Sequence, residues 1–181
     1  MLRSPSQMIL EAKTLSEIAM IRPAMPSDTP AILDFTAATG FFKPMEIDTL
    51  REVLDTFHEY NRAAGDRCFV WDESGVAVGF VYHAAEPMTE NTWSLWWIAV
   101  RPDAQGKGWG LQLLQFVEGD ARELGGRVLF VETSSLPHYE PTRRFYLKHG
   151  YESAALLRDY YSDGDDLVVF RKRLVPTGLG S

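Results

Sequence analysis

A chain of 181 residues, 45% apolar and 24% charged, is long enough to bury one sizeable core, and its composition is that of a globular protein rather than a disordered or fibrous one. The formal net charge of −7 argues against a general nucleic-acid binder, because neutralising phosphates takes a basic surface, and leaves cationic or neutral substrates open. No apolar run reaches the ~18 residues of a membrane span, and residues 1–18, with acids at Glu11 and Glu17, do not read as a signal peptide, so a cytoplasmic location without a membrane partner is expected.

Residues 19–25 read as a first strand, and Ser27-Asp28 is a helix-start signal for a segment running to about Thr39, where Thr39-Gly40 breaks it. From Met45 to Tyr60, Ile47, Leu50, Val53, Leu54 and Phe57 recur at helical spacing and predict a second helix with one buried stripe. Two apolar runs around Asp72 to Gly75 predict a short-looped hairpin, with Cys68 a buried, inert thiol; a single cysteine excludes an internal disulfide. TWSLWWIAV is a further strand, and its Trp93, Trp96 and Trp97 are expected in the core. Leu111, Leu114, Val117, Ala121 and Leu124 then line one face of a long helix, followed by the apolar run of residues 126–135; strand, helix and buried strand make a βαβ unit. Pro141 opens another helix that stops at Gly150, and the runs flanking SDGD close the chain as a hairpin. The whole reads as one α+β domain with a mixed sheet.

The segment RPDAQGKGWG places three glycines in five residues directly before the long helix. A Walker loop fails because Lys107 is followed by Gly108 and Trp109 rather than Ser or Thr, and a dinucleotide fingerprint fails because Gly106, Gly108 and Gly110 make GxGxG. Glycines at a helix start still let backbone N–H groups face a pyrophosphate, helped by a helix dipole of about half a unit charge. Gln105 and Lys107 offer further donors. The four histidines, His58, His83, His138 and His149, show no paired ligand spacing, so no metal is expected.

WWIAVRPDAQGKGWG resembles the acyl-CoA-binding segment of the GNAT acyltransferase superfamily, with Gln105, Gly108 and Gly110 in the motif positions and Gly106 as the usual additional glycine. RRFYLKHGYE resembles the signature that carries the family's tyrosine, and the order of elements over residues 19–175 is similar to the GNAT fold, leaving residues 1–18 as an extension and 176–181 as a tail. The resemblance implies acetyl-CoA as co-substrate, its pyrophosphate on the amides of Gly106, Lys107, Gly108, Trp109 and Gly110 and its pantetheine arm along Ile98, Ala99 and Val100. Trp109 departs from the branched aliphatic residue usual there and needs extra room.

By the same resemblance a backbone N–H at the end of WWIAV polarises the acyl carbonyl and Tyr146 serves the departing sulfur; packing beside Phe145 is the alternative role of that ring. Glu132, a carboxylate near the end of a buried strand, is the candidate base, as in the GNAT enzymes that acetylate ribosomal-protein N-termini; a salt bridge to Arg143 or Arg144 is the competing role. The closing hairpin is similar to theirs, while SSLPHYEPT is two residues longer and puts Tyr139 near the place of their coenzyme-binding asparagine. His138 is placed near the cleft, and Asp159, Tyr160 and Tyr161 line the acceptor side or support the turn. The expected activity is N-acetylation of a primary amine, with a small molecule first as acceptor, a peptide or protein N-terminus second, and a non-catalytic acyl-CoA-binding module as the alternative of another class. The resemblance also allows a homodimer.

Overall fold

The computed structural model describes residues 20–174; the extension at 1–18 and the tail at 176–181 lie outside the described residues. The first strand, Met20–Pro23 (β1), is shorter than predicted because Pro23 is followed by a turn, although Ala24 N–H still donates to Cys68 O at 3.0 Å. A short 3-10 turn at Pro26–Asp28 leads into the helix Thr29–Ala38 (α1), which ends on Thr39 and the left-handed Gly40.

The next helix, Pro44–Thr56 (α2), starts where the Glu46 carboxylate accepts Lys43 N–H at 2.6 Å. It runs on past the predicted end at Tyr60 as a π turn, Phe57–Asn61, and a last helical turn to Ala64, stopped by Gly65. The wider turn accompanies the burial of Phe57, whose ring meets Tyr82 edge-on at 5.6 Å.

Arg67–Glu73 (β2) and Val76–Ala85 (β3) form the predicted hairpin, and its two loop residues, Ser74 and Gly75, both take positive φ, the conformation of a tight hairpin turn. Thr92–Val100 (β4), Trp109–Glu123 (α3) and Val128–Ser134 (β5) make the βαβ unit. Glu140–Lys148 (α4) precedes the closing pair Glu152–Ser162 (β6) and Asp165–Arg173 (β7). The seven strands run in the order β1-β2-β3-β4-β5-β7-β6, antiparallel at every step except β4–β5.

Two apolar clusters sandwich the sheet. On one face α3 and α4 cover Val81, Leu95, Leu129 and Phe170; on the other α1 and α2 cover Val70, Phe80 and Tyr82. Cys68 is buried and free, as predicted, and burial pushes its thiol up. Trp93 joins one core cluster and Trp97, half-buried beside Phe42, packs against the other, whereas Trp96 is 52% exposed, so the sequence expectation is corrected for Trp96. The cause is a bulge in β4: Tyr82 faces Trp97 and His83 faces Leu95, leaving Trp96 as an extra residue.

Candidate active site

The bulge sits where the sheet opens. β4 and β5 pair only from Thr92 to Leu95 against Val128 to Val131, after which β4 runs on to Val100 and β5 to Ser134 without pairing to each other. The split strands bound one long cleft of about 1140 Å³. Its first wall is β4 from Trp96 to Val100, continuing into Gln105, Gly106 and the first turn of α3; its second is β5 from Phe130 to Ser134, backed by α4.

At the head of α3 the amides of Trp109, Gly110 and Leu111 have no acceptor among the described residues, and no side chain caps the helix. Gly106 and Gly108 take φ of +77° and +81°, and a Cβ on Gly106, Gly108 or Gly110 would meet nothing within 4 Å. The loop is thus a cradle of open N–H groups at a helix N-terminus, with space in front of it. Trp109 finds its room by stacking on Trp71 of β2, ring centroids 5.3 Å apart.

Two of the predicted donors have partners within the protein. Gln105 Nε2 donates to Val100 O at 3.0 Å, bracing the loop against the strand it leaves, and Lys107 sets Nζ 4.8 Å over the Trp109 ring. Ile98, Ala99 and Val100 lie on the cleft wall, as do Gly106, Gly108, Trp109 and Gly110.

Tyr146 and Glu132 reach the same cleft from α4 and β5. Tyr146 is 2% exposed, its ring held by Phe145, Tyr151 and Phe170 at 5.5 to 5.7 Å, and burial pushes its phenol well above the ordinary value. Its hydroxyl has no hydrogen-bond partner among the described residues. Glu132 is not buried with its strand: it is exposed into the cleft, because the departure of β4 uncovers its face. The competing ion pairs are absent among the described residues. Arg143 donates to Ser134 O and Leu136 O at 2.7 and 3.0 Å, and Arg144 pairs with Glu140. Partial desolvation, then the nearby charge of Glu86, raise the Glu132 carboxyl above its usual range.

The far end of the cleft is aromatic and bridged. Phe41 and Phe42 enter from the α1–α2 loop, Tyr139 and His138 from the turn before α4, and Tyr139 Oη donates to Phe41 O at 2.8 Å. His138 and Tyr139 also pack on the Phe41 ring at 6.3 and 5.7 Å. Tyr161 lines this end, while Asp159 serves the hairpin turn by accepting from Gly164 N–H, and Tyr160 is exposed. Glu86 and Asp165 also line the cleft; the sequence reading had no signal for Glu86, which follows β3, and took Asp165 for a turn acid.

The profile of the Acetyltransferase (GNAT) family matches residues 35–151. A putative GNAT-family acetyltransferase from Desulfovibrio desulfuricans is 36% identical, with 87% of this chain and 100% of that one covered and a TM-score of 0.83. The chain belongs to the GNAT acetyltransferase family. Two more distant structures share the GNAT fold: the ribosomal-protein-S18-alanine N-acetyltransferase of Escherichia coli, at 18% identity, 91% and 99% coverage and a TM-score of 0.68, and an aminoglycoside 6'-N-acetyltransferase complexed with coenzyme A, at 17% identity, 87% and 98% coverage and a TM-score of 0.69. No curated protein matches the sequence significantly. As a GNAT enzyme the chain is an acyl-CoA-dependent N-acyltransferase.

The residues present fit that co-substrate. Open amides over a side-chain-free cradle suit a pyrophosphate, and an unpaired strand edge between β4 and β5 suits an extended amide-bearing arm. No group of three or more metal-ligating side chains occurs among the described residues, and no described helix is long and apolar enough to cross a membrane.

Proposed function

We propose that this GNAT enzyme transfers an acetyl group from acetyl-CoA to the primary amine of a small molecule, directly, with both substrates bound. Acetyl-CoA supplies an activated acyl carbon and a thiolate leaving group. A Glu132 carboxylate oxygen takes the proton released by the attacking amine, directly or through one water, and a carboxylate with a raised pKa is a stronger base for this task. Tyr146 Oη carries the proton for the leaving sulfur; its buried phenol stays protonated at working pH, as a donor must. A backbone N–H at the open edge of β4, near Ile98 to Val100, is aimed where negative charge develops on the acyl oxygen. The amides of Gly106 to Gly110 hold the pyrophosphate. A cytoplasmic location goes with this reading, supported by the single, buried, unbridged Cys68.

The observation that carries the choice of acceptor is the bridge between Tyr139 and Phe41. It joins two loops 98 positions apart and narrows the acceptor end to a pocket walled by aromatic rings. A free amine enters such a pocket; a polypeptide backbone has to pass under the bridge. The protein-acetylating and aminoglycoside-acetylating structures match equally well in fold, so the pocket and not the fold separates the acceptors.

An acceptor screen of free amines, amino acids and short peptides, read by thiol release from acetyl-CoA, tests the proposal. Turnover is expected with free amines at a higher kcat/KM than with any peptide, and Tyr146→Phe is expected to lose about 10²-fold in turnover with its melting temperature kept. Turnover with peptide N-termini but with no free amine overturns it.

A further inference from the structure

Besides Glu132 the cleft is lined by the carboxyl groups of Glu46, Glu86 and Asp165, and of these three Asp165 is the buried one. Asp165, the first residue of β7, is 4% exposed yet lines the cleft. One of its oxygens, Oδ1, accepts from Ser134 Oγ; the other has no partner among the described residues. Ser134 is itself pinned, because its Oγ also accepts Leu136 N–H at 3.0 Å and its carbonyl takes the Arg143 guanidinium. Asp165 is therefore a fixed, buried carboxyl that faces the pocket with one oxygen unpartnered among the described residues.

Its position relative to Glu132 is set by strand geometry. Glu132 and Ser134 are two residues apart on β5, on the same face of the pleat, so Glu132 and the serine that holds Asp165 are spaced by about 7 Å along the strand. Tyr161 and Tyr139 line the same cleft, and a ring face, unlike a ring edge, attracts a cation.

We infer that the acceptor is a diamine: one nitrogen, uncharged at the moment of reaction, lies at Glu132, and a second, cationic nitrogen is held by Asp165 in the corner beyond Ser134. This rests on the small-amine reading above and adds the substrate class. Taking that strand spacing of about 7 Å as the separation of the two nitrogens gives an extended chain of roughly four to five carbons. A cation or donor that meets the free oxygen of Asp165 offsets its desolvation, so an acceptor that lacks the second nitrogen leaves that oxygen without a partner.

The test is a chain-length series on the wild-type enzyme with acetyl-CoA: α,ω-diaminoalkanes of two to six carbons against the 1-aminoalkanes of equal length. The diamines are expected to be favoured by about 10- to 100-fold in kcat/KM at four to five carbons, the preference falling off on either side. Asp165→Asn, which keeps the shape and can still accept from Ser134, is expected to collapse that ratio by raising KM for the diamines while kcat changes little. Monoamine turnover without any diamine advantage, or an Asp165→Asn variant in which the ratio persists, overturns the inference and leaves the small-amine reading standing. Thiol release with peptides alone overturns both. The wild-type series decides the matter even if the variant folds poorly.

Discussion

At Glu132 the identity of the residue and its surroundings point the same way. A carboxylate in mid-strand normally faces water on an outer sheet face; here it faces a cleft, partly desolvated and beside Glu86, and holds its proton more tightly than an ordinary glutamate. Because the folded pKa lies above the unfolded one, ionising Glu132 costs the fold stability, and that cost appears as pH rises through the folded value. Glu132→Gln is therefore expected to leave the melting temperature at pH 7 unchanged or slightly higher, while the single-turnover rate falls by about 10² to 10⁴. In the wild type the acidic limb of the rate profile should lie above the usual carboxylate range, and in the variant only the limb of the free amine should remain. An acidic limb that survives in Glu132→Gln removes Glu132 from the chemistry. Glu132 and Tyr146 were legible in the sequence because each sits inside a local pattern, one closing an apolar run and the other within FYLKHGY. Glu86 and Asp165 were not, since they come from the far end of β3 and the start of β7 and meet the cleft only after the sheet is assembled. The place of the Lys107 side chain over the Trp109 ring was not legible either, since a glycine loop fixes the backbone while the side chain follows the nearest aromatic face.

The elements themselves followed from periodicity and punctuation. Every predicted strand and helix between Met20 and Leu174 is present, and the misses are local: the π turn after α2, the early end of β1 and the bulge at Trp96. A bulge leaves no mark in a run such as TWSLWWIAV, because the alternation it breaks is already blurred by apolar residues on both faces. It has the largest functional effect of the three, since it lies where β4 leaves β5 and opens the cleft. The head of α3 admits a direct test of what the glycine loop holds. Gly110 is the second residue of the helix, has no positive φ, and its Cβ would meet nothing within 4 Å. A glutamate there suits a helix N-terminus electrostatically and replaces a poor helix former, so Gly110→Glu is expected to keep or raise the melting temperature. The same side chain enters the space in front of the open amides and opposes a phosphate. Titration calorimetry with coenzyme A should then show at least a tenfold loss of affinity, about 1.4 kcal/mol. Undiminished binding in the folded variant would move the pyrophosphate elsewhere.

On the scale of the whole molecule, one polar tie crosses the core under α3. His83 of β3 is fully buried, its Nε2 lies 2.7 Å from Asp120 of α3, and Arg67 of β2 holds both oxygens of that aspartate. Burial weighs against the Asp120 charge, but hydrogen bonds from His83 and Arg67 outweigh it and hold the carboxyl far below its ordinary value. Asp120 is therefore an anion and only accepts, so Nε2 carries the proton, and the buried Nδ1 is left without a partner. For His83 burial dominates and lowers the pKa: the imidazole is neutral in the fold. The unfolded chain, with an ordinary histidine near 6.5, takes up a proton first as pH falls. Stability is thus complete above that value and is lost on acidification toward the folded pKa; Asp120 adds a loss of the same sign only below about pH 4. Charge at large works the other way, since a net −7 shrinks on acidification and repels itself less. A fall in melting temperature between pH 7 and pH 5 therefore has to come from local groups. His83→Gln keeps a donor for Asp120 but cannot titrate, and is expected to flatten that fall. His58, also of lowered pKa and with Nε2 buried and unpartnered, keeps a residual slope of the same sign. Thermal melts of the wild type and His83→Gln at half-unit steps of pH decide it: parallel curves would place the acid sensitivity outside the His83–Asp120 tie, while curves that converge toward pH 5 place it there.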